Sequence, residues 1–131
     1  MKVLMINGSP RQDSNTSIAL DEMAKIFAEQ DIEVETVQIG QEVIRGCVAC
    51  YGCGKLGHCV YDDMVNDIAA KFEKADALVV GSPVYYASAN GSLVSLLDRL
   101  FLSAKFDKTM KVGASVVCAR RGGCSATFDE L

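Results

Sequence analysis

Short apolar runs alternate with amphipathic helical patterns along this sequence, and that alternation restricts the fold more than any other feature. Apolar runs typical of buried strands lie at Lys2–Ile6, Ala77–Ser82 and Lys111–Cys118. Glu33–Ile39 alternates only in part, which is typical of a strand near a sheet edge. Because such units are joined by right-handed crossovers, the pattern predicts a parallel α/β sheet between two helical layers.

Three apolar stripes predict the helices between these strands. The first runs from about Asn15 to Gln30, the second follows a cap at Asp62 or Asp63, and the third starts near Asn90-Gly91. The third stripe consists of Leu93, Val94, Leu97, Leu100, Phe101 and Ala104.

A last helix, capped by Ser125, is predicted to begin where the sequence stops. We therefore expect residues 1–131 to be a single domain that is truncated at its C terminus and lacks a final helix–strand–helix portion. A naturally short domain is the alternative.

Composition narrows the function. The 131 residues carry a net charge of −4 and no long Lys/Arg run, so we expect no nucleic-acid or membrane partner. No apolar run approaches the ~20 residues of a spanning helix, and no signal-peptide pattern is evident. Six cysteines without an export signal fit reduced thiols, a metal or a redox site in the cytoplasm.

The loop Gly8–Ser17 joins the first strand to the first helix and is rich in hydroxyl groups. A helix N-terminus offers free backbone N–H groups and partial positive charge, and Arg11 adds a planar cation. Gly8 lets the backbone turn closely. These features predict a socket for one phosphate at the carboxyl edge of the sheet.

Two further loops are predicted at the same edge. Gly81–Gly91 carries Tyr85 and Tyr86 among small residues, which suits a flat heterocycle. Cys118–Cys124 combines two glycines with Arg120 and Arg121. We interpret Cys118 itself as a small buried hydrophobic residue. Three loops that converge on one edge predict a single site.

These motifs resemble those of the flavodoxin-like NADPH-dependent FMN reductase family. The matching pieces are Asn7–Arg11 with Ser14–Thr16, Gly81–Tyr86 and Ala119–Gly123. The cysteine segment with Asp62–Met64 is similar to the iron–sulfur flavoprotein branch. The resemblance implies a flavodoxin-like three-layer sandwich with strand order 2-1-3-4, in which a fifth strand is absent or lost.

The resemblance also implies a cofactor site and an assembly. It places the FMN phosphate on Ser9, Arg11, Asn15, Thr16 and Ser17. It places the flavin ring and ribityl chain along Pro83, Val84, Tyr85, Tyr86 and Ser88, and against the third loop at Ala119, Arg120, Gly122 and Gly123. Family members are usually dimers or tetramers, so a homodimer or homotetramer is expected.

Four cysteines lie within thirteen residues, at Cys47, Cys50, Cys53 and Cys59. Their thiolates are compatible with a [4Fe–4S] cluster that exchanges electrons with FMN. A second hypothesis is that the four cysteines stay reduced, pack locally and line a subunit contact. Structural zinc or a redox disulfide is a third.

The expected activity is that of an FMN-dependent NAD(P)H oxidoreductase. NAD(P)H would reduce the bound flavin, which would pass electrons to free flavin, a quinone or another acceptor. No dedicated acid–base residue is needed, and we assign none. The alternatives are an electron carrier between protein partners and a flavin-binding or oligomer-forming module that is inactive because it is truncated.

Overall fold

The computed structural model describes residues 1–131, which form four strands and five helices. The strands are β1 (Lys2–Asn7), β2 (Glu33–Gln38), β3 (Ala77–Pro83) and β4 (Val112–Cys118). The helices are α1 (Asn15–Glu29), α2 (Cys53–Leu56), α3 (Met64–Lys74), α4 (Gly91–Ser103) and α5 (Cys124–Glu130). None of these helices is long and apolar enough to cross a lipid bilayer.

The sheet is parallel throughout and has the order β2-β1-β3-β4. This confirms the predicted topology, including the edge position of the Glu33 strand. The central strands β1 and β3 are buried along almost their whole length, as their unbroken apolar sequences indicated. All four strands therefore end at the same edge of the sheet, where the loops after β1, β3 and β4 begin.

Helices cover both faces of the sheet. Against one face, α1 packs Leu20 into a small core with Val3, Met5, Ala77 and Val79. On the opposite face, α3 and α4 build the larger core, which contains Leu4, Ile6, Val65, Ile68, Phe72, Leu78, Val80, Leu93, Leu96 and Leu100. The fold is the predicted three-layer sandwich.

The buried face of α4 differs from the predicted stripe. Leu96, Arg99 and Ser103 are buried, whereas Phe101 is about half exposed. The segment that carries the four cysteines packs beside α4 and covers Arg99 and Ser103. The helix therefore has inward contacts on a side that apolar periodicity alone does not reveal.

The start of α5 also differs from the prediction. Gly123, not Ser125, is the N-cap residue, and its φ of 98° is a left-handed conformation that favours glycine. The Thr127 hydroxyl donates a hydrogen bond to the Gly123 carbonyl at 2.9 Å. The turn at Gly123 therefore decides where the helix begins.

Candidate functional site

Three loops surround a cleft of about 540 Å³ at the carboxyl edge of the sheet. They follow β1, β3 and β4, and this is the edge at which open α/β sheets bind ligands. The cleft is lined by Ser9, Arg11, Asp13, Ser14, Asn15, Thr16, Pro83, Val84, Tyr85, Cys118, Ala119 and Arg120. Its volume lies within the range of small-molecule sites.

The loop after β1 presents a run of free hydrogen-bond donors. The backbone N–H groups of residues 12–16 make no hydrogen bond within the protein. Ser14 caps α1, because its Oγ accepts the N–H of Ser17 at 3.1 Å. Five consecutive unpaired donors at a helix N-terminus, beside the exposed guanidinium of Arg11, form an anion-binding concavity.

The first two loops are fastened to each other at their bases. The Gly8 N–H donates to the Gly81 carbonyl at 2.7 Å, and the Asn90 side chain donates to the Gly8 carbonyl at 2.8 Å. The Asn90 N–H in turn donates to the Ser82 hydroxyl at 2.8 Å. Asn90 also caps α4. These bonds fix the distance between the anion-binding end of the cleft and the aromatic loop.

The loop after β3 makes a tight turn at the other end of the cleft. Tyr85 and Ser88 exchange backbone hydrogen bonds of 2.9 and 3.1 Å, and Tyr86 and Ala87 adopt φ values of 50° and 61°. Left-handed backbone at two successive non-glycine residues is uncommon and is held only where the surroundings fix it. The turn leaves Tyr86 fully exposed.

A second donor run faces this turn. The backbone N–H groups of residues 119–123 make no hydrogen bond within the protein, and the same is true of Tyr86 and Ala87. A shallower cavity that adjoins the cleft is lined by Val84, Tyr85, Tyr86, Ala87, Arg120, Arg121 and Gly122. One end of the site thus offers donors for an anion, and the other offers aromatic surface and donors for a heteroatom-bearing ring.

Most of the residues predicted from sequence are brought together. The cleft and the adjoining cavity include Ser9, Arg11, Asn15, Thr16, Pro83, Val84, Tyr85, Tyr86, Ala119, Arg120 and Gly122. Ser17, Ser88 and Gly123 line neither. The Ser17 hydroxyl pairs with Ser14 and accepts from the Asn7 amide, so its contact with phosphate stays a prediction.

Sequence reasoning missed other residues of the lining. Asp13, Ser14, Ala87 and Arg121 lie in the three predicted loops, but the sequence did not assign any of them a cofactor contact. The interpretation of Cys118 as a buried hydrophobic residue was wrong, because its side chain is half-buried and lines the cleft. Its position as the last residue of β4 is the signal that would have identified it.

Helix α5 is tied to the aromatic loop by Glu130. The carboxylate accepts the Ala89 N–H at 2.7 Å and lies 2.9 and 3.0 Å from the Ser88 hydroxyl. At the other end of the helix, a Cβ on Gly123 would lie only 2.8 Å from Ala87 Cα. The helix therefore holds the turn in place through Glu130 and Gly123. The Ser88 hydroxyl is hydrogen-bonded to Glu130, and its contact with the flavin stays a prediction.

Replacing Glu130 by alanine is expected to loosen the turn without unfolding the domain. The Ala89 N–H loses its charged acceptor, so its amide hydrogen should exchange several-fold faster with solvent. Residue-resolved hydrogen exchange measures this directly. Glu29→Ala, an exposed change on α1, is the control, and equal exchange of Ala89 in both variants would contradict the clamp.

The four clustered cysteines line a cavity of their own beside α4. Cys47 and Cys50 are exposed, Cys53 is half-buried and Cys59 is buried, and all four are free thiols. The rest of the wall consists of Val48, Tyr51, Val60, Tyr61, Arg99, Leu102 and Ser103. The buried Ser103 hydroxyl has no hydrogen-bond partner.

The donor set of this cavity fits a thiolate-bound group. No three Cys, His, Asp or Glu side chains are yet gathered closely enough to hold a metal ion. Binding one would therefore draw the thiols together. An iron–sulfur cluster thus stays a proposal for this cavity.

Arg99 and Asp63 form an ion pair at the base of this cavity. Two guanidinium nitrogens of Arg99 donate to the two Asp63 oxygens at 2.7 and 2.8 Å. Partial burial disfavours the charged carboxylate, but hydrogen bonds from Arg99 and from the Val65 N–H outweigh it and hold the pKa of Asp63 below its ordinary value. Asp63, one of the two predicted caps, is also the N-cap residue of α3.

The fold and the cleft define a class of protein: a flavodoxin-like α/β domain that suits a cofactor with a phosphate and a flat ring. The sequence profile of NADPH-dependent FMN reductases matches residues 1–131. The chain belongs to the NADPH-dependent FMN reductase family.

Similar proteins agree with this assignment. An iron–sulfur flavoprotein of Methanocaldococcus jannaschii is 34% identical over 134 residues, and the match covers 100% of this chain and 69% of the relative. An iron–sulfur flavoprotein of Methanosarcina thermophila is also 34% identical, over 100% of this chain and 71% of its own length. The chain thus spans about seven-tenths of these two relatives.

Solved structures share the fold at low sequence identity. RosB, described with bound 8-demethyl-8-formylriboflavin-5'-phosphate, superposes with a TM-score of 0.80 at 19% identity, covering 99% of this chain and 56% of RosB. An NADH:FMN oxidoreductase gives a TM-score of 0.69 at 20% identity, over 98% of this chain and 64% of that protein. The chain therefore spans less than two thirds of both solved proteins.

Proposed function

We propose that the chain binds FMN in the cleft and acts as an FMN-dependent NAD(P)H oxidoreductase that reduces free flavin, a quinone or another acceptor. The observation that carries this proposal is the run of five free N–H donors at residues 12–16, set beside Arg11 and opposite the aromatic turn. A single phosphate at one end of a flat ring has the shape that this arrangement accepts.

The phosphate end binds and orients the cofactor. The free N–H groups, the Ser9 and Thr16 side chains and the guanidinium of Arg11 supply donors to the phosphate oxygens. The base of the loop is held rigidly through Gly8 and Asn90, so little ordering is needed when the ligand arrives.

The ring end controls the electronic environment of the flavin. Bound FMN supplies the ability to accept a hydride and to release electrons singly or in pairs. With FMN bound, Pro83, Val84 and Tyr85 would lie along the ring edge, and the free N–H groups of residues 119–123 would offer dipoles to its polar atoms. Arg120 adds a positive charge there.

The cavity at Tyr86 and Arg121 gives NAD(P)H an approach to the ring. It adjoins the cleft through Val84, Tyr85 and Arg120, and it is open to solvent. An exposed aromatic ring and two arginines suit a nicotinamide nucleotide with its phosphates. The same opening serves the electron acceptor after the nucleotide leaves.

We propose further that Cys47, Cys50, Cys53 and Cys59 hold a [4Fe–4S] cluster. Support comes from their shared cavity and from the names of the two similar iron–sulfur flavoproteins. A cluster favours the second candidate function, a carrier that exchanges electrons with a redox protein. Iron and zinc analysis of purified protein decides between a cluster, zinc and free thiols.

The assembly and cellular location are also proposals. A homodimer or homotetramer is supported by the exposed Tyr86 at the ring end of the cleft, which a second subunit would cover. A cytoplasmic location is supported by six free cysteines. Light scattering of the purified protein measures the first.

Titration of the flavin-free protein with FMN and with riboflavin tests the cofactor proposal. FMN should bind about 100-fold more tightly, because two charge-assisted phosphate bonds together contribute about 3 kcal/mol. Quenching of flavin fluorescence measures both affinities. Equal affinities for FMN and riboflavin would show that the free N–H groups of residues 12–16 do not bind the phosphate.

Replacing Arg11 by methionine should weaken FMN binding about 10-fold, because the phosphate loses one charged partner on an exposed loop. Riboflavin binding should not change, since riboflavin has no phosphate. Lys25→Met, which removes an exposed cation on α1 outside the cleft, is the matched control. An equal loss of affinity for FMN and for riboflavin would instead indicate that the substitution disrupts the structure of the loop.

Reduction of the bound flavin distinguishes the NAD(P)H oxidoreductase from the electron carrier. Rapid bleaching by NADPH or NADH supports the oxidoreductase, and comparison of the two nucleotides identifies the preferred donor. Bleaching only by a reduced ferredoxin supports the carrier. Stopped-flow absorbance under anaerobic conditions distinguishes these outcomes.

A further inference from the structure

The buried guanidinium of Arg99 reaches a sulfur atom. Arg99 lies on the inward face of α4 and is only 1% exposed, and its Nε donates a hydrogen bond to Cys59 Sγ at 3.3 Å. Cys59 is the one buried member of the four clustered cysteines. The Cys53 thiol has only a long contact, 4.0 Å to the Leu102 carbonyl. The four thiols are therefore not equivalent.

The direction of this N–H is fixed by three other partners. The remaining guanidinium nitrogens are held by both oxygens of Asp63, and Nη1 also donates to the Arg45 carbonyl at 3.1 Å. The Tyr61 ring lies 5.1 Å from the guanidinium carbons of both Arg45 and Arg99. Both N–H groups of Nη1 and one of Nη2 are thus engaged, which fixes the plane of the guanidinium and directs the Nε–H at Cys59 Sγ.

We infer that Arg99 is a positioning residue that sets the reduction potential of the thiolate-bound cluster through Cys59. The inference rests on the proposed cluster. Each one-electron reduction adds one negative charge to the cluster and its sulfur ligands. A fixed N–H donor to a ligand sulfur favours that added charge and raises the potential.

Asp63 has the opposite influence on the same cluster. Its carboxylate offsets the positive charge of Arg99. The Cys59 sulfur therefore interacts mainly with the dipole of the Nε–H group and less with the net charge of the guanidinium. Removing the donor and removing the counter-charge should therefore shift the potential in opposite directions. A purely structural role for the pair does not produce that pattern.

The test compares two variants of the full chain after reconstitution with ferrous iron and sulfide under anaerobic conditions. Arg99→Lys keeps a positive charge near Asp63 but lacks the Nε donor, and its midpoint potential should become more negative than that of the wild type. Asp63→Asn keeps the donor, and its potential should become more positive. Redox titration followed by electron paramagnetic resonance measures both, and iron per chain is determined in parallel.

Arg45→Lys is the control, because only the backbone carbonyl of Arg45 contacts Arg99 and its own side chain contacts Tyr61. Its potential should match that of the wild type. Unchanged potentials in both test variants at full iron content would overturn the inference and leave the cluster in place. A wild-type protein that takes up no iron would instead overturn the cluster proposal, and the inference with it.

Discussion

Replacing Asp63 by asparagine is expected to lower the free energy of unfolding by about 3 kcal/mol at neutral pH. Asparagine preserves the N-cap acceptor for the Val65 N–H, so the change isolates the lost charge. The guanidinium of Arg99 then stays buried without its counter-ion, which costs more than the pair itself contributes. Urea unfolding followed by circular dichroism measures the difference.

The destabilisation caused by Asp63→Asn should depend on pH, because the ion pair requires the charged form of Asp63. The folded-state pKa of Asp63 lies below its ordinary value of 3.8, so the stabilisation is complete above that value and is lost as the pH falls through the folded-state pKa. The difference in the free energy of unfolding between the wild type and Asp63→Asn should therefore become smaller in acid. Asp62→Asn, an exposed neighbouring change, should leave stability unaltered. If this difference in the free energy of unfolding stays the same in acid, the ion pair is not its cause.

Replacing Gly8 by alanine should both destabilise the domain and remove most of its affinity for FMN. The added Cβ would lie 2.9 Å from the Gly81 carbonyl oxygen and 2.9 Å from Leu93 Cδ2. Backbone cannot yield cheaply, so the overpacking should cost about 2 to 3 kcal/mol. Movement of Gly8 also disturbs the bond from Asn90 that anchors the donor loop.

Gly91→Ala is the matched one-carbon control, because nothing lies within 4 Å of a Cβ at that helical position. Its stability should be equal to or slightly above that of the wild type. Thermal unfolding and FMN titration of both variants supply the comparison. Full FMN affinity in a folded Gly8→Ala protein would refute the role of the close contact between the two loops.

Much of the fold could be predicted because burial leaves a regular imprint on the sequence. The continuous apolar strands and the period of the helical stripes identified each strand and the main helices, and right-handed crossovers predicted a parallel sheet between two helical layers. The strand order came from the family resemblance. The cleft followed from the same reasoning, since parallel strands end at a common edge. Ser9, Arg11 and Tyr85 were identified from their place after those strands.

Contacts between distant segments could not be predicted in the same way. Arg99 lies between Leu96 and Leu100 on the inward face of α4, and a charged residue there signals a buried partner without naming it. Asp63, the partner, is 36 residues away. The link from Glu130 to Ser88 depends on the turn at Gly123, whose conformation was not evident from the sequence.

Arg99 has one more consequence, which concerns the segment between β2 and α3. Its guanidinium binds the chain at Arg45, ahead of the four clustered cysteines, and at Asp63, immediately before α3. With both ends joined at one side chain, each doubling of the intervening length costs only about 0.6 kcal/mol in closure entropy. The segment is thus an exchangeable module. Insertions, deletions or altered cysteine spacing can be accommodated between the same two anchors while the sheet and the cleft at its carboxyl edge keep their geometry.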